Sequence, residues 1–319
     1  MTYAFVFPGQ GSQAVGMGKE LFDSSPIARA VFEEVDEALH QNLSHLIFEG
    51  PEDELTLTEN AQPALMAVSI AALRVLEDES GLSLSDMAAM VAGHSLGEYS
   101  ALAAAGTFSL ADTARLLKIR GQAMQRAVPV GVGGMAALLG LDLDAARAVA
   151  DAAAQGEVCA AANDNAPGQV VVSGHRSAVE RAVDLAKEQG ARRAVMLSVS
   201  APFHCSLMAP AADAMAEALS AVSMAAPIVP LVANVTAASV TDPDEIRKLL
   251  VRQVTGAVRW RESVQYMHTQ GVVNLVEMGA SKVLSAMTRR IEREMKAQSV
   301  GLPAEIEAFV EHIQPEAAN

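Results

Sequence analysis

The chain has 319 residues, a hydrophobic content of 51% and a formal net charge of -15 at pH 7. This length and hydrophobicity exclude a disordered chain and predict one large domain, with room for an inserted module. The acidic charge argues against nucleic-acid binding, because no basic stripe is available to neutralise phosphates. Two cysteines are too few for a metal cluster or a disulfide framework. Without a secretory signal or an apolar run of the ~18 residues that a membrane span needs, we expect a cytoplasmic protein.

The first part of the chain alternates strand and helix patterns. A short buried strand over Tyr3 to Phe7 ends at Pro8-Gly9-Gln10-Gly11. The pattern then predicts helices over 26–40, 61–79 and 109–126 and a strand over 88–92. The loop after the first strand formally satisfies G-x-G-x-x-A, but no acidic residue ends a second strand about 20 residues later, so a dinucleotide-binding site is disfavoured.

A second unit begins after the glycine-rich stretch near 131. Between 134 and 198 the predicted order is βαββαβ, which is the ferredoxin-like order. Beyond it, the patterns predict helices at 207–221 and 243–252, an apolar stretch at 228–235 and a strand at 272–278. We therefore predict an inserted domain over 131–198, a discontinuous larger domain over 1–130 and 199–313, and a loose tail over 314–319.

The stretch AAMVAGHSLGE at 88–98 is the strongest chemical signal. It is an apolar strand, a sharp turn carrying Ser95 between two glycines, and the start of a helix. Such an elbow exposes the serine as a nucleophile and directs backbone N–H groups of the helix N-terminus at the site. The predicted fold class is thus α/β: a larger α/β-hydrolase-like domain with a parallel sheet, plus the small ferredoxin-like domain.

A serine nucleophile needs a base, and His204 is the best candidate because it follows a predicted strand that Pro202 ends. No aspartate stands convincingly at a strand end as a third triad member. A backbone carbonyl could orient the imidazole instead. His94 is predicted to be a hydrogen-bonding residue of the turn that helps to shape the site.

Arg120 shares an apolar stripe of the predicted helix over 109–126, so its guanidinium leans away from water. An internal salt bridge and a bidentate clamp on a substrate carboxylate are about equally good explanations. The glycines at the first loop allow the Gln10 backbone to approach the serine, where its N–H could form an oxyanion hole with that of Leu96.

Six segments in order resemble the malonyl-CoA:acyl-carrier-protein transacylase family of bacterial fatty-acid synthesis, and together they span nearly the whole chain. They are FVFPGQGSQ at 5–13, AQPAL at 61–65, GHSLGEYSAL at 93–102, IRGQAMQ at 119–125, NDNAPGQVVVSG at 163–174 and SAPFHCSLM at 200–208.

The resemblance implies a role for each matching residue. It makes Ser95 the acylated nucleophile, His204 the base, Arg120 the partner of the malonyl carboxylate, Gln10 with Leu96 the oxyanion hole, and Gln253 the residue whose main-chain carbonyl orients the histidine. It places Asn165 near the cleft and matches Arg193, Arg289 and Arg290 to positions that meet CoA or phosphopantetheine phosphates. Phe203 stands where many bacterial members carry serine, which implies a tighter acyl pocket.

The resemblance implies malonyl-CoA and an acyl carrier protein as partners, both binding to a monomer, with no metal and no resident cofactor. CoA thioester and phosphopantetheine are substrates. Alternatives stay open: a related malonyl transferase of malonate decarboxylase or polyketide synthesis, a serine hydrolase or thioesterase, and a non-catalytic carrier-binding domain. Because carrier proteins of this pathway are acidic, we expect a local basic patch at the cleft mouth, made by the three arginines.

Overall fold

The structure, a computed structural model, describes residues 2–199 and 201–317, with side chains up to residue 313. Within these ranges the chain forms two separate sheets flanked by helices. The strands are β1 (Tyr3–Phe7), β2 (Ala88–Gly93), β3 (Gly133–Leu139), β4 (Cys159–Ala166), β5 (Gln169–His175), β6 (Arg193–Met196), β7 (Leu231–Ala233), β8 (Ala238–Val240), β9 (Asn274–Met278) and β10 (Lys296–Val300). The helices are α1 (Lys19–Ser24), α2 (Pro26–Leu39), α3 (Leu43–Glu49), α4 (Glu52–Thr56), α5 (Thr58–Ser80), α6 (Leu84–Met87), α7 (Gly97–Ala104), α8 (Leu110–Ala127), α9 (Leu143–Ala154), α10 (Arg176–Glu188), α11 (Ala209–Ser220), α12 (Pro243–Thr255), α13 (Trp260–Thr269), α14 (Val283–Ile291) and α15 (Pro303–Ala317), with a 3-10 turn at Ser206–Met208.

The larger sheet has the strand order β10-β9-β1-β2-β7-β8. Its strand pairs are parallel except for β7 with β8. Strand β1 is buried throughout, with Phe5 in the hydrophobic cluster on one face and Val6 in the cluster on the other. Burial on both faces is expected for a parallel sheet covered by helices. Because Phe7 pairs with Gly93, the loops that follow β1 and β2 begin side by side.

The smaller sheet is antiparallel, with the order β4-β5-β3-β6. Alternate residues such as Leu138 and Val172 pack on one face with α9 and α10. Met135 and Val171 lie on the other face, in a cluster against which Phe203 packs. The predicted α/β architecture, with a mainly parallel sheet and a separate antiparallel sheet in the ferredoxin-like order, is confirmed. The domain boundaries stay a prediction, but every element of the smaller sheet lies inside 131–198.

Backbone hydrogen bonds join β4 to the segment before α13. Val258 donates its N–H to the Ala162 carbonyl at 2.8 Å, and Asp164 donates its N–H to the Val258 carbonyl at 2.9 Å. The buried carboxylate of Asp164 also pairs with the guanidinium of Arg261, 2.8 Å from Nη2 to Oδ2. These contacts fix β4 relative to the larger sheet, so Asn165 is held beside the elbow.

Several elements differ from the predictions. The predicted strand over 194–199 ends at Met196, and the apolar stretch 228–235 gives only the short strand β7. Helix α15 continues to Ala317 and packs Phe309 and Ile313 in the core, while the loose tail over 314–319 stays a prediction. Residues 318 and 319 lie outside the described range. No helix in the described part of the chain is long and apolar enough to cross a membrane.

Candidate active site

The turn between β2 and α7 is a strained elbow that presents Ser95. The φ of Ser95 is 54°, in the left-handed region that non-glycine residues rarely adopt. A Cβ on Gly93 would lie 1.9 Å from the Gly97 carbonyl carbon, and a Cβ on Gly97 would lie 2.2 Å from the Phe7 carbonyl oxygen. Both positions therefore accept only glycine, and the two glycines allow the turn to pack against the end of β1.

Asn234, which follows β7, stabilises the elbow through two hydrogen bonds to its backbone. Its Oδ1 accepts the Ser95 N–H at 2.8 Å, and its Nδ2 donates to the Gly93 carbonyl at 2.7 Å. The Asn234 side chain is fully buried, where polar groups need partners. Asn234 thus compensates the two backbone groups that the sharp turn removes from the sheet. Sequence reasoning missed this residue.

His204 lies against the serine, with Nε2 2.8 Å from Ser95 Oγ. On the other side of the ring, Nδ1 is 2.9 Å from the Gln253 carbonyl and 3.1 Å from the Gly256 carbonyl. Carbonyl oxygens only accept hydrogen bonds, so the proton of the neutral imidazole is on Nδ1 and the lone pair on Nε2 faces the serine hydroxyl. The imidazole is oriented by main-chain carbonyls and not by a carboxylate.

The environment of His204 disfavours its charged form. The side chain is buried, and burial, reinforced by the positive charge of Arg120, lowers the pKa of His204 to about 3. The imidazole is therefore neutral at pH 7 and able to accept a proton from the serine.

Arg120 is 1% exposed and reaches the nucleophile from α8. Its Nη2 donates to Ser95 Oγ at 3.1 Å and to Gln253 Oε1 at 2.8 Å, and Nη1 donates to Gln62 Oε1 at 2.8 Å. Gly121 brings this part of α8 close to α5, since a Cβ there would lie 2.5 Å from the Glu59 Cα. The internal salt bridge left open by the sequence is absent among the described residues, where amide oxygens hold the guanidinium.

Leu96 and Gln10 lie where an oxyanion hole is expected. Leu96 is the N-cap of α7, so its N–H belongs to the free first turn of a helix. Gln10 lines the cleft with Ser95, and its side chain donates to Thr58 Oγ1 at 3.2 Å. A Cβ on Gly9 would lie 2.7 Å from the His94 carbonyl oxygen, so glycine is what allows this loop to approach the elbow.

His94, Asn165 and Phe203 line the cleft beside the nucleophile. His94 Nε2 is 2.8 Å from Asn165 Oδ1, and its ring packs at 5.8 Å from that of Trp260. Burial lowers the pKa of His94, so the ring is a neutral hydrogen-bonding group. These contacts link the elbow to β4. The remaining lining of the cleft is mostly apolar and includes Met124, Met135, Val171, Leu197 and Met287.

The three arginines predicted to meet phosphates do not line the cleft. Arg289 faces β10, where Nη2 donates to the Ala297 carbonyl at 3.0 Å. Arg193 is exposed at the start of β6, whereas the cleft residues follow the end of that strand. Arg290 comes three residues after Met287 on α14, and its Nη1 donates to Gln169 Oε1 at 2.9 Å. Only Arg290 continues a helix face that lines the cleft.

Two further buried residues of the site carried no sequence signal that we recognised. Gln62 holds the guanidinium of Arg120, and Glu98 accepts from Gln253 Nε2 at 2.9 Å. Glu98 could have been found as the one charged residue of a helix whose remainder is rich in alanine. In the described residues, His268, Glu292 and Glu294 bring possible metal-ligand atoms within 4.8 Å of one another, but this group does not line the cleft.

Comparison with known proteins agrees with this geometry. The sequence model of the acyl transferase domain family matches residues 4–315. The malonyl CoA-acyl carrier protein transacylase of Escherichia coli K12 is 47% identical over 309 residues, 97% of this chain and 99% of the relative. The crystal structure of an acyl-carrier-protein S-malonyltransferase from Bartonella henselae is 57% identical with a TM-score of 0.96, covering 98% of this chain and 99% of that one.

A second similar structure contains a partner protein. It is a malonyl-transacylase in complex with its type II polyketide-synthase acyl-carrier protein. The matched chain is 41% identical to this one with a TM-score of 0.94, covering 98% of this chain and 100% of that one. The matches over nearly the full chain show that it belongs to the malonyl-CoA:acyl-carrier-protein transacylase family of acyl transferase domains.

Proposed function

We propose that this chain transfers a malonyl group from malonyl-CoA to the phosphopantetheine thiol of an acyl carrier protein, through a malonyl ester on Ser95. The observation that carries the proposal is the contact of Ser95 Oγ with both His204 Nε2, at 2.8 Å, and Arg120 Nη2, at 3.1 Å. A base and a fixed cation thus meet at one nucleophile.

In the first half-reaction, His204 Nε2 takes the proton of the Ser95 hydroxyl while Oγ attacks the thioester carbonyl of malonyl-CoA. The N–H groups of Leu96 and Gln10 stabilise the oxyanion of the tetrahedral intermediate. The C–S bond then breaks and His204 gives the proton to the CoA sulfur, so CoA leaves as the thiol and the imidazole is neutral again. In the second half-reaction, the carrier thiol gives its proton to His204 and attacks the serine ester, which returns the proton to Ser95.

The position of Arg120 beside the nucleophile favours an acyl group that carries a carboxylate. In a malonyl group one methylene separates the two carboxyl carbons, which places them about 2.5 Å apart. A cation that selects this group must therefore lie next to the nucleophile, as Arg120 does. The guanidinium can present two parallel N–H donors to a carboxylate. Acetyl-CoA lacks that partner.

Because main-chain carbonyls, and not a carboxylate, orient His204, the site fits a transferase better than a serine hydrolase. In a hydrolase triad, a buried aspartate stabilises the imidazolium that forms. Here Nδ1 meets only the neutral carbonyls of Gln253 and Gly256. We infer fatty-acid synthesis as the pathway, and a polyketide pathway is the nearest alternative.

The test is to incubate the protein with malonyl-CoA, record its intact mass, and then add a holo acyl carrier protein. We expect a stable malonyl adduct that disappears on addition of the carrier, with the malonyl group recovered on the carrier. Release of free malonate before the carrier is added would indicate a hydrolase, and an unchanged mass would indicate a binding domain. Comparing fatty-acid and polyketide carrier proteins as acceptors separates the two pathways.

A further inference from the structure

Glu98 is a buried carboxylate that the proposed reaction leaves without a role. It lies in the first turn of α7, three residues after the nucleophile, and is 0% exposed. Oε2 accepts the Asn234 N–H at 3.0 Å and Gln253 Nε2 at 2.9 Å. Oε1 has no hydrogen-bond partner among the described residues.

The amide of Gln253 connects Glu98 to Arg120. Gln253 Nε2 donates to Glu98, and on the other side of the same amide Oε1 accepts from Arg120 at 2.8 Å. Among the described residues, the side-chain acceptors on the guanidinium are two glutamine oxygens and the serine hydroxyl. Glu98 is thus the carboxylate that balances the buried charge of Arg120, with the Gln253 amide between the two groups.

Few other charges act on Glu98. Arg120 reaches it from α8, and Tyr99 is its neighbour on α7. His204, from the loop before α11, is neutral at pH 7. The buried residues of α5 and all of β2 and β7, which also pack against α7, carry no ionisable side chain. On β1, Tyr3 lies at the far end, paired with Ala88.

We propose that Glu98 is the countercharge of Arg120 in the free enzyme and takes up one proton from solvent when a malonyl carboxylate pairs with Arg120. This inference rests on the proposed function. Two carboxylates would otherwise share one guanidinium in a buried site, and such like charges favour protonation of one of them. The malonyl carboxylate meets Arg120 directly, so Glu98 is the group that becomes neutral.

The local geometry suits this step. The new O–H bond forms on Oε1, so neither of the hydrogen bonds to Oε2 is broken. Burial has already raised the pKa of Glu98 to about 7, so a modest further change suffices. The net charge of the acylated site then equals that of the free site. Glu98 is thus a positioning residue that keeps Gln253 and Arg120 in place while it buffers their charge.

The experiment measures proton uptake on binding. Ser95→Ala enzyme, which cannot be acylated, is titrated calorimetrically with malonyl-CoA and with acetyl-CoA in buffers of different ionisation enthalpy. Acetyl-CoA is the matched control, because it carries the same CoA phosphates without the carboxylate. With a pKa of about 7, Glu98 is about half ionised at pH 7 and about nine-tenths ionised at pH 8. Malonyl-CoA should therefore take up more protons than acetyl-CoA: a rise of one unit in the Glu98 pKa gives about 0.4 proton at both pH values, and a larger rise approaches limits of about 0.5 at pH 7 and about 0.9 at pH 8.

The Ser95→Ala, Glu98→Gln double variant keeps an acceptor oxygen but cannot take up the proton, so the difference between the two ligands should vanish. Equal uptake for both ligands in the single variant overturns the inference, even if the double variant does not fold. An undiminished difference in the double variant also overturns it and assigns the proton to another group, such as His204. Failure of the single variant to bind malonyl-CoA would instead contradict the proposed function.

Discussion

Replacing Arg120 with alanine should convert the enzyme from a malonyl to an acetyl transferase. The guanidinium is 1% exposed and lies 3.1 Å from the nucleophile, so a malonyl carboxylate in this site would be left buried and unpaired. Removing one partner of a buried charge pair costs about 3 to 5 kcal/mol. At 1.36 kcal/mol per factor of ten, kcat/KM for malonyl-CoA should fall roughly 150-fold to 5,000-fold.

Acetyl transfer should be unchanged or faster in the same variant. Arg120→Lys is the matched control: it restores the charge but not the two parallel donors, so it should recover only part of the malonyl rate. The assay is stopped-flow acylation with each thioester, alongside thermal unfolding, because Gln62 and Gln253 each lose a donor. If malonyl and acetyl rates fall by the same factor, Arg120 is structural and the assignment of the acyl selector is wrong.

Three further predictions follow from the same contacts. His204→Ala should slow acylation by at least about 100-fold. In the wild type at saturating malonyl-CoA, where Glu98 already carries its proton, the acylation rate should hold as pH falls to about 4 and drop below the His204 pKa of about 3, where the protonated imidazole can no longer accept a proton. A saturated rate that falls through pH 6 to 7 with a stable fold would contradict a neutral buried base. Gly97→Ala should unfold or inactivate the protein, because its Cβ would lie 2.2 Å from the Phe7 carbonyl oxygen; circular dichroism and labelling measure this. Gly106→Ala is the control, since that position has open space but a φ of 74° and should cost only the milder backbone strain. Arg290→Glu should raise KM for the carrier protein more than Arg289→Glu does, since Arg289 faces β10; equal effects in steady-state transfer assays would place the carrier elsewhere.

The core of the site could be predicted because each of its parts leaves a local pattern. Ser95 lies between glycines at a strand-to-helix turn, His204 follows a proline in the loop after a strand, and Arg120 interrupts an apolar helix face. These patterns require only the neighbouring residues. Gln253 came from the family resemblance, because a main-chain carbonyl leaves no side-chain signal.

The supporting residues could not be predicted in the same way. Asn234 is 139 residues from the Ser95 N–H that it accepts, and Gln62 is 58 residues from Arg120. Such contacts depend on the order of strands in the sheet, which periodicity does not give. Strand β10 was also missed, because it is an edge strand of only five residues, Lys-Ala-Gln-Ser-Val, with one β-branched residue.

The most direct measurement of the central claim is to locate the acyl group. After incubation with malonyl-CoA, proteolysis and mass spectrometry should find the malonyl group on the peptide containing Ser95 and nowhere else. The Ser95→Ala protein should remain unlabelled, and adding holo carrier protein should clear the label from the wild type. A malonyl group found on another residue, or labelling that persists in Ser95→Ala, would contradict the account of the nucleophile.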